Sequence, residues 1–398
     1  MLLIELLVGA AGLVILAPAL ILSVEVLAGT FSDRHEATAG PAGARPRVVM
    51  LVPAHDEAPG IGDTVRSLLP QLHTGDRLLV VADNCTDDTA AKARAAGAEV
   101  IVRNEPTRRG KGYALDYGIR HLERDPPEVV LIVDADCRFA GDSFDRLAHV
   151  CAQMGRPVQA LNLSYAPPGA DLKMRIAEFA SLLKNLIRPL GLRVLGLPCQ
   201  LTGTGMAFPW VCIKTATLAT GHVVEDLKLG LDLTRAGHPP LFCPGARVSS
   251  YFPATEEGFR SQRTRWEHGY LAVLLEAPAV LLQALRTVNG PLLALGLDLC
   301  VPPIALLTLL GGAVWVASAV LYATLGKEIP LLIASAAAAL LALSVLLAWA
   351  RHGREILSLG SLLLALAYAL RKIPFYGRFL LTRQLNWVRT KRDPDRTA

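Results

Sequence analysis

Apolar positions fall into two kinds of run along this chain. Short runs at residues 48–52, 77–82, 99–102 and 129–133 alternate with amphipathic stretches at 61–72, 87–97 and 112–122. Short, continuous, branched apolar runs predict strands buried on both faces, and the helical spacing between them predicts helices that cover those faces. The expected fold class is α/β, a mostly parallel sheet with helices on both sides. In such sheets ligands gather at the carboxyl ends of the strands. Chemistry is therefore expected just after Val52, Ala82 and Val133.

The second kind of run is longer. Residues 6–24 carry no charge, and 19 apolar positions are about enough to cross a hydrocarbon core as a helix. Residues 291–325 contain only Asp298 as a charge and are broken at Pro302 and Pro303, while 329–350 carry no charge. Residues 270–285 predict a helix lying along a membrane surface. The 15 residues 356–370 are short for a span and predict an interfacial or re-entrant segment. The expected order is a transmembrane anchor at 1–32, a Gly/Pro/Ala-rich linker at 33–46, an α/β domain at 47–269 and an interfacial helix at 270–290. A membrane region of about two to three spans or re-entrant segments follows at 291–373, then a basic tail at 374–398.

Composition agrees with this division. Of 398 residues 52% are hydrophobic and only 19% charged, which excludes a disordered chain and a purely soluble one. The formal net charge is +5, but residues 351–398 hold ten Lys/Arg against three Asp/Glu, so the remainder sums to −2. A basic segment after apolar spans suits the anionic cytoplasmic lipid face. No aromatic-interleaved basic patch accompanies it, so nucleic acid is not an expected partner. Arg34, Arg45 and Arg47 follow the first apolar run, which places the N-terminus outside and the α/β domain in the cytoplasm. Seven cysteines without a C-x-x-C pair fit reduced, buried thiols.

Each of three predicted strand ends carries acids: Asp56 and Glu57, beside His55, after the first, Asp83, Asp87 and Asp88 after the second, Asp134 and Asp136 after the fourth. Asp134 and Asp136 are two apart, so in extended chain both carboxylates point one way. Such a pair suits Mg2+ or Mn2+, which bind through few carboxylates plus substrate phosphates. Gly110, Lys111 and Gly112 precede a helix, where backbone amides and the lysine can receive phosphate.

Together with Pro53, these residues, the pair Glu225-Asp226 and the sequence Gln262-x-x-Arg265-Trp266 resemble the membrane-bound family-2 glycosyltransferases. Within them the set resembles the branch of cellulose, hyaluronan and poly-N-acetylglucosamine synthases. The resemblance covers about residues 47–269. It implies a GT-A-type fold, a nucleotide-sugar donor (a UDP-sugar first of all), a divalent cation and inversion at the anomeric carbon by a hexosyltransferase. It implies that Pro53, Glu57 and Asp83 hold the uridine, Asp134 the nucleotide or sugar, and Asp136 the metal. Asp226 matches the general base, with Glu225 as its rival. Gln262, Arg265 and Trp266 match the segment that closes over the donor and lines the acceptor path. The 201–206 segment, at the acceptor loop, reads Thr-Gly-Thr-Gly at 202–205 where cellulose synthases carry cysteine, which speaks against a cellulose product. The acceptor stays open between a growing polysaccharide and a lipid or lipid-linked molecule, at what the resemblance makes the inner membrane of a bacterium. A nucleotide-sugar binder without catalysis is a third reading, but it has no need of a base.

Overall fold

The structure, a computed structural model, describes residues 2–31 and 44–381, with side chains through Phe379. The expected linker lies outside the described residues through position 43, and so does the basic tail from position 382. The described chain forms two compact units: residues 44–168 with 197–270, and residues 2–31 with 169–196 and 271–381.

The first unit is built on a sheet of β1 (Val48–Ala54), β2 (Arg77–Asp83), β3 (Glu99–Arg103), β4 (Val129–Ile132), β5 (Arg138–Phe139), β6 (Val158–Tyr165), β7 (Met206–Pro209) and β8 (Leu241–Tyr251). Their order is β3-β2-β1-β4-β7-β6-β8-β5. β1 to β4 pair in parallel with one another, and β6 pairs in parallel with β8. β7 runs antiparallel to both β4 and β6, and β5 antiparallel to β8.

The continuous apolar runs have a simple cause. Along β1, Val48, Met50 and Val52 face one cluster with Ile61, Val65 and Phe144, while Val49 and Leu51 face another with Leu115, Ile119 and Phe208. A strand with helices on both sides has no face left for polar residues. Two helices are shorter than their patterns predict. The first, Ile61–Leu68, gives way to a 3-10 turn at Leu69–Gln71, because Pro70 cannot donate to the α ladder. The second begins only at Thr89, whose amide is taken by the Asp87 carboxylate (3.0 Å).

Successive crossovers run outward from β1 through β2 to β3, and the chain then returns to β4 on the other side of β1. This reversal leaves a crevice at the carboxyl ends of β1 and β4, where doubly wound sheets bind ligands. The antiparallel β7 starts there too, with Met206 opposite Ile132. The loop before β7 is thereby delivered to the end of β4.

The second unit is helical. Among the described residues, three helices are long and apolar enough to cross a membrane: Leu2–Thr30, Ile304–Leu325 and Glu328–Gly353. Pro302 and Pro303 end the preceding helix, Gly290–Leu299, so the 291–325 run is two helices. The expected surface helix at 270–290 is instead the end of a longer helix, Glu256–Leu274, followed after a 41° bend by Ala277–Arg286. Residues 356–370 form a 13-residue helix, Leu359–Arg371. Ser23 Oγ meets Ser344 Oγ at 2.9 Å, and Gly12 faces Ile333 at the same sequence offset, so Leu2–Thr30 and Glu328–Ala348 run parallel. Small side chains and shared hydroxyls replace the hydrophobic drive that helices lack in lipid.

Residues 169–196 belong to this unit. The helix Arg188–Val194 packs so closely on Leu2–Thr30 that a Cβ at Gly191 would lie 2.0 Å from the Glu25 carbonyl oxygen. Arg188 donates to Glu25 (2.6 Å) and to Asp298 through both its carboxylate (2.5 Å) and carbonyl (2.8 Å), all three residues being buried. Asp298, a charge inside an apolar run, is thus tied into a structural pairing. Arg188→Leu is expected to cost about 3–5 kcal/mol by leaving two buried carboxylates unpaired. Replacing Glu25, Arg188 and Asp298 together by leucine or methionine should recover much of it, as measured by thermal unfolding in detergent. If the single variant were as stable as the parent, the pairing would carry no weight.

Candidate active site

Three acid-bearing strand ends converge as the topology requires. Asp134, just beyond β4, accepts from Lys111 Nζ at 2.5 Å. The same ammonium donates to the Gly203 carbonyl (2.6 Å) and lies 3.8 Å from Glu225. A Cβ at Gly203 would be 3.2 Å from Asp226 Oδ2 and 3.6 Å from Lys111 Nζ. Lys111, Asp134, Glu225, Asp226 and the 201–205 loop therefore form one cluster. Burial alone would lower the Lys111 pKa, but Asp134 and Glu225 outweigh it and hold the ammonium charged.

Glu225 and Asp226 open the helix Glu225–Arg235, whose dipole favours negative charge there. Burial pushes the Glu225 carboxyl from its ordinary 4.5 up to about 7, against the pull of Lys111 and with the push of Asp226. A carboxyl raised in the folded state contributes stability that is full below its unfolded pKa and is lost as pH rises through the folded one. Stability is thus expected to fall between about pH 4.5 and about pH 7. Glu225→Gln should flatten that part of the profile, read by thermal unfolding. An unchanged slope would contradict the burial argument.

The 201–205 loop is pinned by residues that sequence reasoning missed. Gln159, buried in β6, donates to the Thr204 carbonyl (2.9 Å) and accepts from the Thr202 amide (2.9 Å). Asn162 donates to the Thr202 carbonyl (3.1 Å), and the Thr204 hydroxyl accepts from the Asp134 amide (3.1 Å). Polar side chains inside an otherwise buried strand are the signal that could have found Gln159.

Asp136 lies beside Asp134 and Cys137, with one ligand atom of each within 4.8 Å of the others. Burial, then the two aspartates, hold the Cys137 thiol well above its ordinary value, so it stays protonated. What remains is a pair of hard carboxylate oxygens, half-buried, which fits a magnesium- or manganese-type ion completed by phosphate oxygens.

On the other side of β1, the loops after β1 and β2 are stitched into one cradle. Asp56 accepts from the Thr86 amide (2.6 Å), Glu57 donates its amide to the Thr89 hydroxyl (2.7 Å), and His55 Nδ1 meets the Asp83 carbonyl (2.6 Å). Pro53, in β1, is half-buried at the base of this cradle. Asp83 itself is buried and accepts from Arg103 (2.6 Å) and Asn84 (3.0 Å). Arg103 ends β3 and was not singled out from the sequence; a lone cation closing an apolar strand opposite an acid was the available cue.

Gln262, Arg265 and Trp266 sit within the helix Glu256–Leu274. Gln262 is buried with no hydrogen-bond partner for its Oε1, and Trp266, 39% exposed, leans on Phe252 with ring centroids 6.3 Å apart. Further along this helix, Gly269 abuts Val224, which directly precedes Glu225. The helix thus borders the segment carrying the two acids.

The model of the glycosyltransferase-like family 2 matches residues 46–269. The chain belongs to that family. The chain is similar to glucosyl-3-phosphoglycerate synthase of Mycolicibacterium paratuberculosis, 38% identical over 95 residues, covering 22% of this chain and 28% of that protein. It is also similar to the 4,4'-diaponeurosporenoate glycosyltransferase of Staphylococcus aureus, 28% identical over 232 residues, covering 55% of this chain and 59% of that one. The chain therefore spans less than two thirds of the length of either relative. Among solved structures, the mannosyltransferase PcManGT from Pyrobaculum calidifontis, in complex with GDP-Man and Mn2+, superposes with a TM-score of 0.53 at 16% identity. That match covers 86% of this chain and 99% of the other. At that identity the likeness carries the fold, which is the expected GT-A type.

Proposed function

We propose that this family-2 member transfers a hexosyl group, with inversion, from a nucleotide-sugar to a growing polysaccharide at the cytoplasmic face of a bacterial inner membrane. The observation that carries the reading is the convergence of Asp226 with Lys111 and Asp134 at the carboxyl end of β4. A binding protein would have no use for a carboxylate held there beside an acceptor loop.

In this reading Asp226 takes the proton of the acceptor hydroxyl as that oxygen bonds to the anomeric carbon. The bond from that carbon to the diphosphate breaks, and its electrons leave on the diphosphate oxygen. Asp136, with Asp134, would hold a divalent cation, whose contribution is charge neutralisation on the leaving group. Lys111 adds a second positive charge, Pro53, Glu57 and Asp83 seat the base, and Arg265 and Trp266 offer a phosphate contact and a stacking face. The parallel helices bring the ends at Thr30 and Arg351 to the same side, and Arg351 and Arg354 favour the cytoplasm.

A second reading, single transfer to a lipid or lipid-linked acceptor, is favoured by the diaponeurosporenoate in the name of the S. aureus relative. Purified protein supplied with a panel of UDP- and GDP-sugars and Mn2+ or Mg2+ tests both. Nucleotide release with a ladder of products supports polymer synthesis, one addition to lipid supports the second reading, and no release with any donor contradicts catalysis.

A further inference from the structure

A polar feature lies within the helical unit, at the ends of its two parallel helices. The offset that pairs Ser23 with Ser344 also sets Thr30 level with Arg351. There Glu328–Ala348 runs into a π-helix, Trp349–Gly353, a widened turn often found at functional positions. A cleft of about 320 Å³ opens at this point, lined by Thr30, Phe31, Leu347, Ala350 and Arg351.

Two of these side chains ask for a ligand. Thr30 is only 3% exposed, yet among the described residues its hydroxyl has no hydrogen-bond partner, a deficit that a buried donor normally avoids. Arg351 is exposed at the mouth. Trp349 is engaged elsewhere, donating to the Leu357 carbonyl (2.8 Å) with Arg354 over its ring.

Depth and charge identify the occupant. The 21 residues of Glu328–Ala348 span about 31 Å, the thickness of a hydrocarbon core, so Arg351 falls at headgroup level. The remaining walls, Phe31, Leu347 and Ala350, are apolar, and among the described residues no carboxylate lines the cleft to balance a cationic headgroup. We propose that this cleft binds the headgroup of one anionic phospholipid. Its phosphate pairs with Arg351, a headgroup hydroxyl or phosphate oxygen meets Thr30, and an acyl chain lies along Leu347.

The full chain in mild detergent is titrated with phosphatidylglycerol and with phosphatidylcholine, and bound lipid is counted by native mass spectrometry. One saturable phosphatidylglycerol per chain is expected, bound in preference to phosphatidylcholine. Arg351→Gln should weaken it at least about fivefold, the weight of one basic residue at an anionic surface. Thr30→Val should weaken it as well, while Arg371→Gln, a basic residue at the end of another helix, should not. Equal binding of phosphatidylcholine, no loss in Arg351→Gln, an equal loss in Arg371→Gln, or equal binding of soluble glycerol 3-phosphate would each overturn the proposal.

Discussion

Asp226→Asn is expected to lower the turnover rate by at least about 10²-fold, the low end of what a positioned general base contributes, while leaving donor affinity nearly unchanged. Asparagine keeps the shape and the place beside Gly203 but cannot accept the proton. The contrast with Glu225 sharpens the expectation. Glu225 is buried, lies 3.8 Å from Lys111 and is pushed up to about 7, so near neutrality it is only partly ionised. Glu225→Gln, next to Lys111, should therefore affect donor binding more than the chemical step. Asp83→Asn should likewise weaken UDP, because the Asp83–Arg103 pair anchors the cradle between β1, β2 and β3. If Asp226→Asn lost UDP as severely as Asp83→Asn, the two acids of the 225–226 pair would exchange roles.

The second large effect concerns the metal pair. Asp136→Asn should reduce turnover by about a thousandfold, since Lewis-acid stabilisation of a leaving group is worth several kcal/mol. It should also abolish the calorimetric signal of Mn2+ in the presence of UDP. The thermal midpoint should move little, because Asp136 is half-buried in the turn between β4 and β5 and asparagine can still accept from Cys137 Sγ (3.5 Å). Near-normal, cation-dependent activity in this variant would remove Asp136 from the metal site.

Much of this site could be read from the chain because of where it sits. β1, β2 and β4 are buried on both faces, so their apolar runs stop where the polar crevice starts, and Glu57, Asp83 and Asp134 stand at those stops. Lys111 was legible as a cation before a helix, but its partners were not. Asp134 is 23 residues away, and the Gly203 carbonyl, 92 residues away, is brought in only by the antiparallel pairing of β7. β8 escaped notice for a different reason: Pro244, Gly245 and Arg247 interrupt its apolar pattern, and its pairing with β6 shifts register between Ala160 and Leu161. Nor does local periodicity reveal that residues 169–196 join the membrane helices. Their burial against Leu2–Thr30 depends on one arginine and one glycine, Arg188 and Gly191, whose partners lie more than 160 positions earlier.

Direct displacement at the anomeric carbon, with Asp226 as the base, fixes the configuration of the new bond. Product formed from an α-linked nucleotide-sugar is isolated and its anomeric proton coupling measured by NMR. A β-linkage is the predicted result. An α-linkage would contradict a single displacement and, with it, the role assigned to Asp226.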